Sequence, residues 1–265
     1  MNKKLLGGVL LRRLKKTLPP YVVWSVVAAL VLNRADFFGV LMLVFTGGAS
    51  AQMYFLLVYA QLIVLTPLLY KLLRSCKVLV YAITPVSLVI YEVATAMGFA
   101  YPIVGRLFPV WLLFYVVGLD WQRWRSVVEG KFKWCVVVWC VCLCVQLIEG
   151  FCWSTFGNFN MATTQLKLSS MFSSLAIIGV IMTLPDGARL RISKPVTTSL
   201  GDASFGIYLC HILVLAVVGK VLGLVALPDF LAILMKWAFT LALSYLFCVV
   251  VNKVLPKKIA KVLGC

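Results

Sequence analysis

Residues Phe132–Glu149 read FKWCVVVWCVCLCVQLIE, and no charged residue stands between Lys133 and Glu149. About 20 apolar residues in a row are what a helix needs to cross the ~30 Å hydrocarbon core of a bilayer. Seven further segments share this character: Thr17–Asn33, Met53–Tyr70, Lys77–Ala94, Tyr101–Leu119, Leu168–Leu184, Ala203–Leu224 and Phe230–Val251. The 265 residues are 63% hydrophobic and 12% charged, with a mean hydropathy of +1.04. A soluble domain is nearer half apolar and a quarter charged. One aqueous core cannot hide this much apolar surface, which excludes an ordinary cytosolic enzyme, and disordered chains are poor in apolar residues. The expected fold is all-α: a polytopic transmembrane helix bundle of about eight spans, forming one membrane domain over residues 1–265. Phe37 to Phe45 is too short to cross and should lie at the outer interface or dip in and return.

Charge orients the bundle. The chain carries 25 Lys and Arg against 8 Asp and Glu, a net charge of +17. When alternate loops are assigned to one side, starting with the N-terminus, twenty basic residues fall inside and four outside (Arg34, Arg106, Lys167 and Lys220). Cytoplasmic loops collect Lys and Arg, so both termini are expected in the cytoplasm, with residues 1–16 as a basic cytoplasmic segment. Most of the positive charge then reflects topology and contact with membrane lipid, not a nucleic-acid partner. Leu5 to Leu11 runs straight into Arg12, Arg13, Lys15 and Lys16 without a cleavage site, so no secretory signal is read. The nine cysteines include no CxxC pair, and no His or acidic cluster near them suggests a metal. They read as small hydrophobes, with no metal site expected. Cys265 is the final residue, so no prenylation box is present.

Polar groups inside hydrocarbon are costly, so those within spans are the first site candidates. The segment SLGDASFGIYLCH, Ser199–His211, places Ser204, Tyr208 and His211 at i, i+4 and i+7 on one helical stripe. Asp202 would sit at the start of that helix, where the dipole favours an acid. His211 is the only histidine. Its ring either hydrogen-bonds a neighbouring helix or performs acid–base chemistry. Glu92 and Glu149 lie at outer ends of their spans, where each could face a cavity or simply water. Arg12–Tyr21, RRLKKTLPPY, puts four basic residues before a helix start marked by Pro19 and Pro20. Two readings stay open for it: an anchor on anionic lipid, or a mouth for the phosphates of a nucleotide-like donor.

Three segments, RRLKKTLPPYVVWS (Arg12–Ser25), FTGGASAQMYFLLVYAQLIVLTPLL (Phe45–Leu69) and SLGDASFGIYLCHILVL (Ser199–Leu215), resemble in order the acyltransferase 3 family of bacterial integral-membrane enzymes. The resemblance implies a multi-pass protein of the inner membrane. It would move an acyl group, acetyl by default, from a cytosolic acyl-CoA to a hydroxyl of a surface polysaccharide or glycolipid. Acyl-CoA would be a substrate, with no bound cofactor. Arg13 and Lys16 occupy the family's pair of spaced arginines. The lysine keeps the charge but loses the two-pronged grip on phosphate. Tyr54 stands in place of a tryptophan, and Ala51 and Gln52 replace a more polar lead-in. The family has ten helices, and its first two carry an arginine and the histidine that acts as base. On that pattern this chain begins at the basic segment. It should be slow or inactive alone, and three explanations stay open: a start codon assigned too late, a degraded gene, or a partner chain that supplies the missing helices. His211 matches a later histidine, which is not the family's base and is a weak candidate for it here. The substrate-binding set implied is Arg13, Lys16, Ser204, Tyr208 and His211. The rival reading is a non-enzymatic transporter or flippase component for a glycan or lipid. Transporters often show paired halves, and no such duplication is visible.

Overall fold

A computed structural model describes residues 3–99, 103–184, 194–225 and 228–265. Among these no strand occurs. The helices in chain order are α1 (Lys3–Val31), α2 (Phe37–Thr46), α3 (Met53–Ser75), α4 (Lys77–Ala96), α5 (Leu112–Leu119), α6 (Trp121–Val128), α7 (Phe132–Thr155), α8 (Phe159–Thr163), α9 (Leu168–Met182), α10 (Lys194–Leu222), α11 (Asp229–Val254) and α12 (Lys257–Val262). Two 3₁₀ turns, Val104–Arg106 and Phe108–Trp111, precede α5. Six helices among the described residues are long and apolar enough to span a bilayer: α3, α4, α7, the run Phe159–Met182, Thr198–Leu222 within α10, and α11.

Two of the eight expected spans take another form. All but Leu32 and Asn33 of Thr17–Asn33 lies inside α1, which does not begin at the prolines but runs through Pro19 and Pro20. Those prolines have no N–H to give to the carbonyls of Lys15 and Lys16. Tyr101–Leu119 is broken. Tyr101 and Pro102 lie outside the described residues, as do Arg189 and Arg191 of the charge count. The rest is two 3₁₀ turns and the eight-residue α5. The break has an identifiable cause: the fully buried Thr84 of α4 inserts its hydroxyl where one rung of the helical ladder would be. Its Oγ1 accepts from Leu113 N–H (2.9 Å) and donates to the Pro109 carbonyl (2.7 Å). A side chain inserted into the ladder satisfies both groups while the chain changes from 3₁₀ to α.

The chain divides into two compact units. The first comprises Met1–Val64 with Ile192–Cys265, the second Leu65–Arg191, and the boundary falls within α3. In the first unit α10 and α11 pack along a seam of small residues. The buried positions of α11 are Thr240, Ser244, Cys248 and Val251, at helical spacing. Gly206 of α10 is required there, because a Cβ would lie 2.7 Å from Cys248 Sγ and 2.8 Å from Cys265 Sγ. Next to the seam, Tyr21 and Trp24 of α1, Met53 and Leu56 of α3, and Leu209 and Cys210 of α10 form one buried cluster. The helix α2 (Phe37–Thr46) is capped at its start by Asp36, whose side chain accepts from Gly39 N–H (2.9 Å).

In the second unit Leu88 of α4, Val110, Leu113 and Val117 around α5, and Met171 of α9 form the core. Glu92 does not stand free: its carboxylate accepts the N–H of Leu168, the first residue of α9. An acid at that point suits the helix dipole. Glu149 accepts from Trp153 Nε1 within its own helix at 3.3 Å. Lys167 is 2% exposed, and its Nζ donates to the Ala162 carbonyl (2.9 Å). The strongly apolar span α7 buries none of its residues, the arrangement of a helix whose solvent is lipid.

Thr84→Val should lower stability by about 1–3 kcal/mol, since it leaves Leu113 N–H and the Pro109 carbonyl without their partner. Thr84→Ser should lose less. Unfolding midpoints in detergent would check both.

Candidate functional site

The basic end of the first unit contains a cavity of about 510 Å³. Lys15, Lys16 and Pro19 of α1 form one wall, and Asp202 and Phe205 of α10 another. Lys261 and Val262 of α12, with Gly264 and Cys265, close it. Among the lining side chains three ammonium groups face one carboxylate, a positive side-chain balance, while Pro19, Phe205 and Val262 give the interior an apolar surface. Such a combination suits an anionic ligand that also carries a less polar arm.

Sequence dictates how the closing wall is built. Pro256 ends the connection from α11 and starts α12, as proline readily does. Gly264 terminates α12 with φ +80°, the left-handed conformation glycine adopts without strain. Gly264 N–H then donates to the Lys261 carbonyl (3.2 Å) and Cys265 N–H to the Ala260 carbonyl (3.0 Å). This double bond pattern is that of a glycine-capped helix end. Trp24 Nε1 donates to the Leu263 carbonyl (3.0 Å), fastening the turn to α1. Any Cβ at Gly264 would run into Leu209 and Phe205. Burial pushes the Cys265 thiol above its ordinary pKa.

The predicted site residues divide. Lys16 lines the cavity. Arg13, one turn earlier, is exposed and outside the lining, and its carbonyl accepts from Thr17 Oγ1 (3.0 Å). Ser204 is exposed, with its hydroxyl on the Gly201 carbonyl of its own helix (2.7 Å). The Tyr208 hydroxyl donates to the Gln52 backbone carbonyl, and Gln52 Nε2 donates to the Leu209 carbonyl (3.3 Å). The Tyr208 ring meets Phe55 edge-on with centroids 6.0 Å apart. His211 bonds its own helix and not a neighbour. Its Nδ1 lies 2.7 Å from the Tyr208 carbonyl. A carbonyl only accepts, so Nδ1 carries a proton and donates it to this bond. Asp202 is not at a helix start but two turns inside α10, facing the cavity.

Lys15 stands in the sequence reading only as one of the four basic residues of Arg12–Tyr21, and Lys261 and Cys265 have no site role there. A signal for them exists in PKKIAKVLGC, Pro256–Cys265. A proline start, a glycine stop and lysines four apart describe a short basic helix that can fold back.

Tyr21 donates to the Val44 carbonyl and shares the Met53, Leu209 and Cys210 cluster, so the three segments quoted above meet in one unit. Compared with known protein families, residues 1–253 match acyltransferase 3, described as an acyltransferase domain. The chain belongs to the acyltransferase 3 family. No curated protein and no solved structure matches it. Family membership and six membrane-length apolar helices together make it a multi-pass membrane protein of acyltransferase type.

The thiolate is the reactive form of cysteine. Alkylation of Cys265, followed by peptide mass mapping, should therefore be slow near pH 7 and rise only above the usual thiol range. Gly264→Ala, which dislodges the cap, should speed it at fixed pH.

Proposed function

We propose that the lysine-rimmed cavity receives an acyl-CoA donor, and that the protein transfers the acyl group, acetyl by default, to a hydroxyl of a surface polysaccharide or glycolipid. The observation that carries this reading is the convergence of Lys15, Lys16 and Lys261, from opposite ends of the chain, on one cavity with apolar walls. Coenzyme A is a polyanion joined to a long, less polar arm that ends in the thioester. Ammonium groups at the rim would meet its phosphates as point charges. Pro19, Phe205 and Val262 would lie along the arm.

In the transfer itself, the acceptor oxygen bonds to the thioester carbonyl carbon, the carbon–sulfur bond breaks and coenzyme A leaves. The hydroxyl proton passes to a base, a role worth roughly 10²–10⁴-fold. No residue of this chain is assigned that role, and His211 is read as a positioning residue beside Tyr208. The proposal includes eight crossings of a bacterial inner membrane with both ends cytoplasmic. The excess of Lys and Arg on alternate loops supports it, and it puts the cavity where cytosolic acyl-CoA is available.

Binding of labelled acetyl-CoA to the full chain in nanodiscs tests the donor site. Lys16→Gln and Lys261→Gln should each weaken binding about threefold to tenfold, or up to 1.4 kcal/mol, as befits partly solvated charge contacts. Arg13→Gln should matter less, because Arg13 lies outside the lining. Unchanged affinity in the Lys16→Gln, Lys261→Gln double variant would refute the assignment. Movement of a glycan across vesicles without acyl transfer would favour a transporter.

A further inference from the structure

The second unit has a basic cavity of its own, of about 440 Å³, which the donor reading does not use. It lies between the start of α4 and the short helix α6. Its lining is Lys77, Val78 and Tyr81 from the first, and Arg123, Trp124 and Val127 from the second. A continuous set of bonds fixes its back wall. Lys77 Nζ pairs with Asp120 Oδ2 (3.1 Å), the Tyr81 hydroxyl donates to the same oxygen (3.3 Å), and Trp124 Nε1 donates to the Tyr81 hydroxyl (3.1 Å). The Tyr81 and Trp124 rings lie 5.9 Å apart, and Lys77 Nζ stands 5.9 Å from the Tyr81 ring centre.

The charges do not cancel. Asp120 is the one carboxylate in this set, and it is already engaged by Lys77 and Tyr81. Arg123 forms no ion pair among the described residues, so its guanidinium remains a fork of donors for an oxyanion. The rest of the lining is apolar and opens onto apolar surface. Val78 is 83% exposed and Val127 50%, and Leu79 beside them is 59% exposed. A soluble anion would leave that surface to water. A phosphate attached to acyl chains would cover it.

We propose that this cavity holds the head group of an anionic phospholipid, with its phosphate on Arg123 and Lys77 and an acyl chain along Val78 and Val127. Basic pockets flanked by membrane helices suit such head groups, and tryptophans such as Trp121 and Trp124 belong at head-group depth. The assignment is independent of the donor cavity, since none of its residues belongs to that unit.

The test is native mass spectrometry of the full chain released from vesicles of equal phosphatidylglycerol and phosphatidylcholine. The wild type should retain one phosphatidylglycerol in clear preference. Arg123→Gln should reduce the retained ratio about threefold to tenfold, reflecting loss of one charge-assisted contact. Arg125→Gln on the same helix, outside the lining, should leave the ratio unchanged. Equal retention of the two lipids by the wild type would overturn the proposal, as would an unaltered ratio in Arg123→Gln. Displacement of the lipid by millimolar glycerol phosphate would do so too, reassigning the site to a soluble phosphate. Because Arg123 is exposed, its replacement does not threaten folding, and acetyl-CoA binding by the same preparation serves as the control.

Discussion

In hydrocarbon, a backbone N–H or carbonyl that lacks a partner inside the protein costs several kcal/mol, because no water is present to replace it. A chain 63% hydrophobic must meet that demand almost everywhere, and the helix does so residue by residue. The informative places are those where the ladder is interrupted. Thr84 lends a hydroxyl to the interruption before α5, and Glu92 supplies an acceptor to the first amide of α9. Each interruption turns a side chain of one helix into part of the backbone bonding of another. Polar residues in this protein therefore act first as backbone partners, and only a minority remain for ligands.

The cavity of the first unit follows from the same economy. Three remote segments meet through hydrogen bonds to backbone carbonyls: Tyr21 to Val44, Tyr208 to Gln52, and Trp24 to Leu263. These bonds hold α1, α10 and the final turn in fixed register. Lys16, Asp202 and Lys261 become neighbours only because that framework exists.

Much of the architecture was legible in the sequence because apolar run length and charge spacing are local properties. Four helices start at the residues expected, Met53, Lys77, Phe132 and Leu168. The misreadings have physical causes. Hydropathy stops counting at a charge while a helix continues through it, so α1 and α10 extend well past their apolar parts and Asp202 lies inside a helix. Tyr101–Leu119 looked continuous because its interruption depends on Thr84, a residue of another helix that periodicity cannot see. Of the site, the Arg12–Lys16 run was evident. Lys261 passed as topology alone, since its place depends on the turn at Pro256 and the contact with Trp24.

The glycine-capped turn has a practical corollary for whoever handles the protein. Gly264 is wedged against Leu209 and Phe205, and Cys265 forms part of the cavity lip. A purification handle or fluorescent reporter joined after Cys265 would leave its linker at the entrance, screening the lysines while the helices insert as usual. Such a preparation would look well behaved by size and solubility and still give a false negative in ligand assays, so a removable tag or an internal loop is the sounder place for a label.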